Sequence, residues 1–186
     1  MTTLVGIQGY GWSVIGAESV VIADSKVVML PKNTGKVFAT SDYVIGIAGV
    51  WRVMQVLQHT VAWPKPPVKP TINDLDRFVT QEIVPAIQEG FVEARLTMDA
   101  EDSWSALISV AGTIFVVDTH YTVTRDKRGL YAEGSGGVYA LGAMAMVDYP
   151  ATIAKAKDLV KKAISVACQY DQGSGEPIVI YSQTGE

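Results

Sequence analysis

The chain has 186 residues, a length that suits one domain of roughly 100–200 residues. Apolar residues make up 48% of it and charged residues 18%, which excludes a disordered protein and allows a sizeable buried core. The net charge of −4 and the pI near 5.2 argue against a nucleic-acid-binding protein, since such proteins usually carry a basic patch. We therefore predict a single domain over residues 1–186 that has no nucleic acid partner.

The sequence also bears on location. No apolar stretch reaches the ~20 residues that cross a bilayer, and no basic segment followed by an apolar one opens the chain. The single cysteine, Cys168, excludes an internal disulfide and favours a reducing compartment. We expect a soluble, cytoplasmic protein without a membrane partner.

The first part of the chain alternates short strand patterns with polar turns. Strands are predicted over Thr2–Gln8, Ser19–Ala23, Lys36–Thr40 and Tyr43–Ala48, with a turn at Gly9-Tyr10-Gly11. After Gly49 the apolar residues change to a helical period, which predicts a helix over residues 50–61.

The rest of the chain is predicted to form one helix, four strands, two helices and a last strand. After a proline-rich loop at Pro64–Pro70, a helix is predicted from the N-cap Thr71 to about Arg95, bent at Pro85. The later predicted elements are strands at Trp104–Val110, Thr113–Asp118, His120–Thr124 and Leu130–Glu133, helices at Val138–Val147 and from Pro150 to about Tyr170, and a strand at Glu176–Ser182. This order favours an α+β fold in which antiparallel sheets lie between helical layers.

Thr2 is a candidate nucleophile because of its position. A hydroxyl on the first residue of a chain can use that residue's own α-amine as its general base, and an α-amine has a pKa of about 7.7–8. This chemistry requires loss of Met1, which a small second residue normally permits. Many proteins begin with Met-Thr by chance, so the position alone is weak evidence.

Three later residues could support such a nucleophile. Lys36 could lower the pKa of the Thr2 hydroxyl, and Asp24 could fix the position of that lysine. The Gly49 N–H could donate to the oxyanion of a tetrahedral intermediate. By spacing alone, the better explanation of these positions is two surface charges at strand ends and a glycine in a turn.

Several segments together resemble a proteasome β-subunit. They are Thr2-Thr3-Leu4-Val5-Gly6, Ile22-Ala23-Asp24-Ser25, Gly35-Lys36-Val37-Phe38, Asp42 to Gly49, Tyr131 to Gly136, Tyr139 to Ala143, and Ala163 to Gly175. The resemblance covers Thr2 to about Ile180, and the short leader makes the bacterial ATP-dependent peptidase the nearest member in layout.

The resemblance implies an N-terminal-nucleophile hydrolase fold, a four-layer αββα sandwich. It implies a threonine-type endopeptidase that cuts peptides or unfolded proteins within a homo-oligomeric ring, alongside an ATP-driven unfoldase. The implied site has Thr2 as nucleophile, Lys36 held by Asp24, and Gly49 as oxyanion donor. Ser135, Asp171 and Ser174 would orient the amine and a water.

Two departures leave alternatives open. The distance from Thr2 to Asp24 is longer than the family usually shows, so either the first hairpin has an enlarged tip over Gly9–Glu18 or the strand register differs. A retained Met1 would disable the mechanism, which leaves a catalytically silent structural or assembly protein as the main alternative. An amidase of the same fold that acts on a small amide is a third.

No cofactor or metal is expected. His59 and His120, which are the only histidines, are far apart in sequence and lack carboxylates at ligand spacing. The glycine-rich segment at residues 134–137 lacks the lysine of a phosphate-binding loop.

Overall fold

The structure is a computed structural model that describes residues 1–23 and 26–185; for Ala23 and Asn33 it describes only the backbone. The strands are β1 Leu4–Gly9, β2 Trp12–Glu18, β3 Val20–Ala23, β4 Lys26–Met29, β5 Val37–Ala39, β6 Tyr43–Gly49, β7 Trp104–Val110, β8 Thr113–Asp118, β9 Val123–Thr124, β10 Leu130–Glu133 and β11 Ile178–Thr184. The α-helices are α1 Trp51–His59, α2 Ile72–Phe78, α3 Val84–Glu93, α4 Gly137–Ala145 and α5 Ile153–Tyr170.

Two antiparallel sheets form the centre of the fold. The first has the strand order β10-β1-β2-β11 and the second the order β5-β6-β7-β8-β9. A separate hairpin of β3 and β4 follows the first sheet in the chain. All the strand pairs are antiparallel, as expected for sheets joined by short connections rather than by crossover helices.

Three apolar clusters separate four layers. One lies between α1–α3 and the second sheet, one between the two sheets, and one between the first sheet and α4 and α5. Strand β1 shows how the sequence produces this arrangement: Leu4 packs between the sheets, whereas Val5 and Ile7 face the helices. Because side chains alternate across a strand and both faces are covered, β1 is apolar throughout its first half. The predicted α+β four-layer αββα sandwich is confirmed.

The first hairpin lacks the enlarged tip that was one of the two expectations for it. Residues 9–18 do not form an enlarged tip, because Trp12–Glu18 is a full strand whose register with β1 runs from Gly9↔Trp12 to Leu4↔Ala17. Tyr10 and Gly11 alone make the turn, with Gly11 at φ +70°. The alternative that the strand register differs is therefore the one that holds, and the first hairpin is tight.

Several boundaries also shift. Helix α5 begins at Ile153 rather than Pro150, since the Thr152 hydroxyl caps it by accepting a bond from Lys155 N. The predicted strand at His120–Thr124 is reduced to Val123–Thr124, because the Asp118 carboxylate accepts bonds from the His120 and Thr122 amides in a turn. Sequence analysis also missed β4, whose residues are exposed on both faces.

The second helical segment begins as predicted. Thr71 caps α2 and forms a reciprocal capping box with Asp74. The helix then continues through a π-helical turn at Val79–Ile83 into α3, so the irregularity comes just before Pro85. Within residues 1–23 and 26–185, no helix is long and apolar enough to cross a membrane.

Candidate active site

Thr2 lies just before β1, an inner strand of the first sheet, and only 4% of it is exposed. The turn after β10 covers it from one side, where Gly136 N donates to the Thr2 carbonyl at 3.1 Å. Gly134 approaches so closely that a Cβ there would lie 2.3 Å from the Thr2 carbonyl oxygen, and its φ of +83° also favours glycine. The sequence Gly134-Ser135-Gly136 thus fits tightly around Thr2.

A chain of hydrogen bonds holds the Thr2 nitrogen. Thr2 N donates to Ser135 Oγ at 3.2 Å, and Ser135 Oγ donates to Asp171 Oδ2 at 2.9 Å. Ser174 Oγ donates to the same carboxylate oxygen at 2.5 Å and lies 2.7 Å from Thr3 Oγ1. The structure therefore brings together Thr2, Ser135, Asp171 and Ser174 from three separate parts of the chain.

Lys36 reaches the other side of Thr2. Its Nζ donates to the Met1 carbonyl oxygen at 3.3 Å, and the Thr2 hydroxyl donates to that same oxygen at 2.6 Å. The lysine ammonium and the candidate nucleophile thus share one acceptor. Met1 itself is 64% exposed, so the residue that blocks the Thr2 nitrogen lies at the surface.

A buried carboxylate pairs with Lys36. Lys36 is 3% exposed and Glu18 is fully buried, and Lys36 Nζ donates to Glu18 Oε1. Glu18 also accepts bonds from backbone amides, including Val20 N at 2.7 Å and Thr3 N at 3.3 Å. These bonds fix the carboxylate, which in turn fixes the lysine.

The electrostatics of Lys36 follow from this burial. Removal from water lowers the pKa of Lys36, and the nearby negative charge of Glu18 opposes that shift only in part. Burial thus disfavours the positive charge of Lys36, whereas the ion pair with Glu18 favours it.

Asp24, the predicted partner of Lys36, lies outside the described residues. The carboxylate that the structure places on Lys36 is Glu18, which sequence analysis missed. A signal was available: Glu18 stands between the apolar runs Val14–Ala17 and Val20–Ile22, and a charge buried among apolar residues requires a partner. Because Trp12–Glu18 was not predicted as a strand, Glu18 was not recognised as a buried residue.

Gly49 ends β6 on the wall of a small cavity. Its φ is +115°, and a Cβ there would lie 2.2 Å from the Ser103 carbonyl oxygen, so only glycine fits. The cavity measures about 200 Å³ and is lined by Met1, Thr2, Val21, Ile22, Lys36, Ile47, Gly49 and Trp51. A larger groove of about 430 Å³ lies at the far end of β1, beside Arg125–Gly129, remote from Thr2.

Cys168 also lies near this site, close to the charges of Glu18 and Asp171, and carries a thiol that could act as a nucleophile. Burial raises the pKa of its thiol to about 11, and the negative charges of Glu18, Glu176 and Asp171 add to the effect. The thiol therefore stays protonated near neutral pH, which leaves the hydroxyl of Thr2 as the better candidate.

Comparison with known proteins rests on solved structures. No family model matches the chain, and no curated protein matches it. Thiobacillus denitrificans BPH in complex with epoxomicin matches with a TM-score of 0.77 and 23% identity, over 100% of both chains. A second structure of this BPH matches with a TM-score of 0.74 and 24% identity, over 100% of this chain and 99% of the other.

Eukaryotic HslV from Trypanosoma brucei matches with a TM-score of 0.66 and 22% identity, over 98% of this chain and 99% of the other. This chain has the HslV fold. The HslV fold is the four-layer N-terminal-nucleophile hydrolase fold of the proteasome β type, so the fold implied by the resemblance is confirmed.

Proposed function

We propose that this protein is a threonine-type endopeptidase whose nucleophile is Thr2 after removal of Met1. The observation that carries the proposal is the pair of contacts at Thr2. Its backbone nitrogen is held by Ser135 and Asp171, and its hydroxyl shares an acceptor with the buried Lys36. When Met1 is absent, that nitrogen is a free amine beside the hydroxyl, as self-activation requires.

The reaction would proceed in two halves. The Thr2 amine takes the proton of the Thr2 hydroxyl, whose oxygen attacks the peptide carbonyl carbon and forms a tetrahedral oxyanion. Gly49 lies on the wall of this cavity, and its N–H would donate to that oxyanion. The C–N bond then breaks, and the leaving amine takes the proton from the Thr2 ammonium group. Water, activated by the same amine, hydrolyses the resulting ester and restores Thr2.

The other residues of the site have supporting roles. Lys36, held by Glu18, supplies positive charge next to the hydroxyl and lowers the cost of its deprotonation. Ser135, Asp171 and Ser174 orient the amine through the hydrogen-bond chain. In this mechanism Glu18 holds Lys36; Asp24, for which that role was predicted, lies outside the described residues.

The likeness to HslV supports the wider proposal of a single-domain chain in a homo-oligomeric ring. We propose peptides or unfolded proteins as substrates, an ATP-driven unfoldase as partner, and the cytoplasm as location. The ring would keep folded proteins away from the cavity beside Thr2.

An epoxyketone tests the nucleophile. Thiobacillus denitrificans BPH has been solved in complex with epoxomicin, a peptidyl epoxyketone. The chain without Met1 is expected to gain the mass of one epoxomicin, on Thr2. The same chain with a residue fixed before Thr2, and the Thr2→Ala variant, should gain none. No adduct on a chain proven to begin at Thr2 would contradict the proposal.

One observation favours the alternative of a structural or assembly protein without catalytic activity. The Met1 carbonyl accepts bonds from Thr2 and Lys36, and the Met1 side chain packs against Gly173, so the fold accommodates Met1 well. Intact mass measurement of the protein from its native source separates the two functions, because the scaffold can keep Met1 and the peptidase cannot.

A further inference from the structure

Met1 covers a glycine in the loop that follows α5. A Cβ built on Gly173 would have three Met1 atoms, Cβ, Cγ and Sδ, as its nearest neighbours, all within 2.7 Å. Gly173 is buried, whereas Met1 is 64% exposed, so the methionine lies over the glycine with its outer side in water. Removal of Met1 therefore uncovers a surface that already fits a linear apolar side chain.

This surface lies next to the Thr2 nitrogen. That nitrogen is bonded to its own Cα and donates its N–H to Ser135 Oγ at 3.2 Å, and the bond to Met1 takes its third direction. When Met1 is removed, the third direction is the one that opens. In the proposed reaction the leaving amine takes its proton from the Thr2 ammonium group, so the two nitrogens must come within about 3 Å of each other. The substrate residue that follows the cleaved bond would then lie where Met1 lies now.

The surface over Gly173 is distinct from the cavity beside Gly49. That cavity, of about 200 Å³, holds the proposed oxyanion donor and so belongs to the side of the substrate that forms the ester with Thr2. Gly173 lies outside its lining. The two sides of a cleaved bond would therefore meet two different surfaces.

We propose that the surface over Gly173 is the subsite for the residue that follows the cleaved bond, and that it takes an unbranched apolar side chain of about the length of methionine. The charges nearby are engaged by other groups: the Asp171 carboxylate accepts two hydroxyl hydrogen bonds, and Lys36 pairs with Glu18. A charged substrate side chain would gain neither as a free partner. The inference rests on the proposed peptidase function and names a class of residue that it accepts.

The exposure of Met1 sets the size of the effect. Full burial of a methionine side chain favours binding about tenfold or more. Because Met1 is 64% exposed, about a third of that burial is available to a substrate side chain in the same place. We expect a preference of about threefold to fivefold.

A competition between peptides tests the subsite. The peptides differ only in the residue after the cleaved bond, which is methionine, norleucine, alanine, aspartate or lysine, and mass spectrometry follows their cleavage by the chain that begins at Thr2. The methionine and norleucine peptides should be cleaved about threefold to fivefold faster than the other three. In Gly173→Ala the new methyl group takes the place of the substrate side chain, so the preference for methionine over alanine should fall to about one. Gly35→Ala is the matched control and should keep the preference, since its Cβ would have its nearest contact at 3.6 Å.

Epoxomicin separates failure of the subsite from failure of the peptidase. Its peptide lies only on the side that would bind the cavity beside Gly49, so its adduct on Thr2 reports the nucleophile without the subsite. Neither adduct nor cleavage in the wild type would remove the peptidase and the subsite together. Adduct and cleavage with equal rates for all five peptides, or an unchanged preference in Gly173→Ala, would overturn the subsite alone. Loss of the adduct in Gly173→Ala would also overturn it, because Gly173 would then act on the nucleophile itself.

Discussion

Glu18 at the end of β2 and Lys36 just before β5 form a buried ion pair, an arrangement with a large desolvation cost. Such a pair is weak evidence for stability, because apolar residues of the same volume often serve as well. Its position beside the Thr2 hydroxyl gives a functional reason for it. Under the proposed function, this burial fixes a cation next to the candidate nucleophile.

Glu18→Gln tests this pair. The variant leaves Lys36 buried without a counter-charge, which should lower the free energy of unfolding by about 3 kcal/mol and reduce peptide cleavage at least about tenfold. Urea unfolding and peptide hydrolysis measure the two effects. Glu18→Asp keeps the charge on a shorter side chain and should retain more of both. Equal stability and activity in Glu18→Gln and wild type would show that the pair has no role.

The pH dependence of stability should change in the same variant. Burial lowers the pKa of Lys36, so in the alkaline range the folded chain binds fewer protons than the unfolded chain. Stability from this residue therefore rises with pH, until the unfolded lysine near 10.4 has also lost its proton. Glu18→Gln removes a charge that raises this pKa, so its rise should begin at lower pH and be larger. A parallel pH profile in both proteins would contradict this.

At the scale of elements, the turn between β10 and α4 decides whether Thr2 is held. Residue 134 of this turn has to be glycine, because its φ is positive and it lies against the Thr2 carbonyl. The turn also places Ser135 on the Thr2 nitrogen. Its sequence therefore serves a conformational purpose rather than the binding of a phosphate.

Gly134→Ala should displace the first residues of the chain. Its Cβ would overlap the Thr2 carbonyl, so we expect a loss of about 2 kcal/mol in stability and a fall in peptide cleavage of about a hundredfold. Gly35→Ala is the matched control: Gly35 has an ordinary φ of −75°, and an added Cβ would have its nearest contact at 3.6 Å. Thermal unfolding and hydrolysis assays compare them, and equal effects of the two changes would disprove the role of Gly134.

Elements were predictable where their apolar pattern was simple. Strand β1 and the capped start of α2 follow from local residues. Strand β2 was missed because Trp12–Glu18 was treated as part of a turn, and β4 because its exposed residues have no buried face to reveal. The partner of Lys36 could not be identified without β2, since only the pairing of β2 with β1 brings Glu18 beside Thr3.

At the scale of the whole molecule, the four-layer architecture was predictable from the order of strands and helices together with the resemblance to proteasome β-subunits. The candidate site residues were named from that resemblance, and the structure brings six of them, Thr2, Lys36, Gly49, Ser135, Asp171 and Ser174, to one end of the sandwich, whereas Asp24 lies outside the described residues. The apolar outer face of α4, where Val138 and Tyr139 are exposed, was not foreseen, because an apolar helix looks like core in a sequence until the structure shows which face is covered.

The central claim is that a free amine on Thr2 does the chemistry. The most direct measurement compares two preparations of the folded chain that differ only in Met1, using the rate of hydrolysis of one fluorogenic peptide. We expect cleavage by the chain that begins at Thr2 and at least about a thousandfold less by the chain that keeps Met1, because an amide nitrogen cannot act as the base. Equal rates from both preparations, or no cleavage by either, would contradict it.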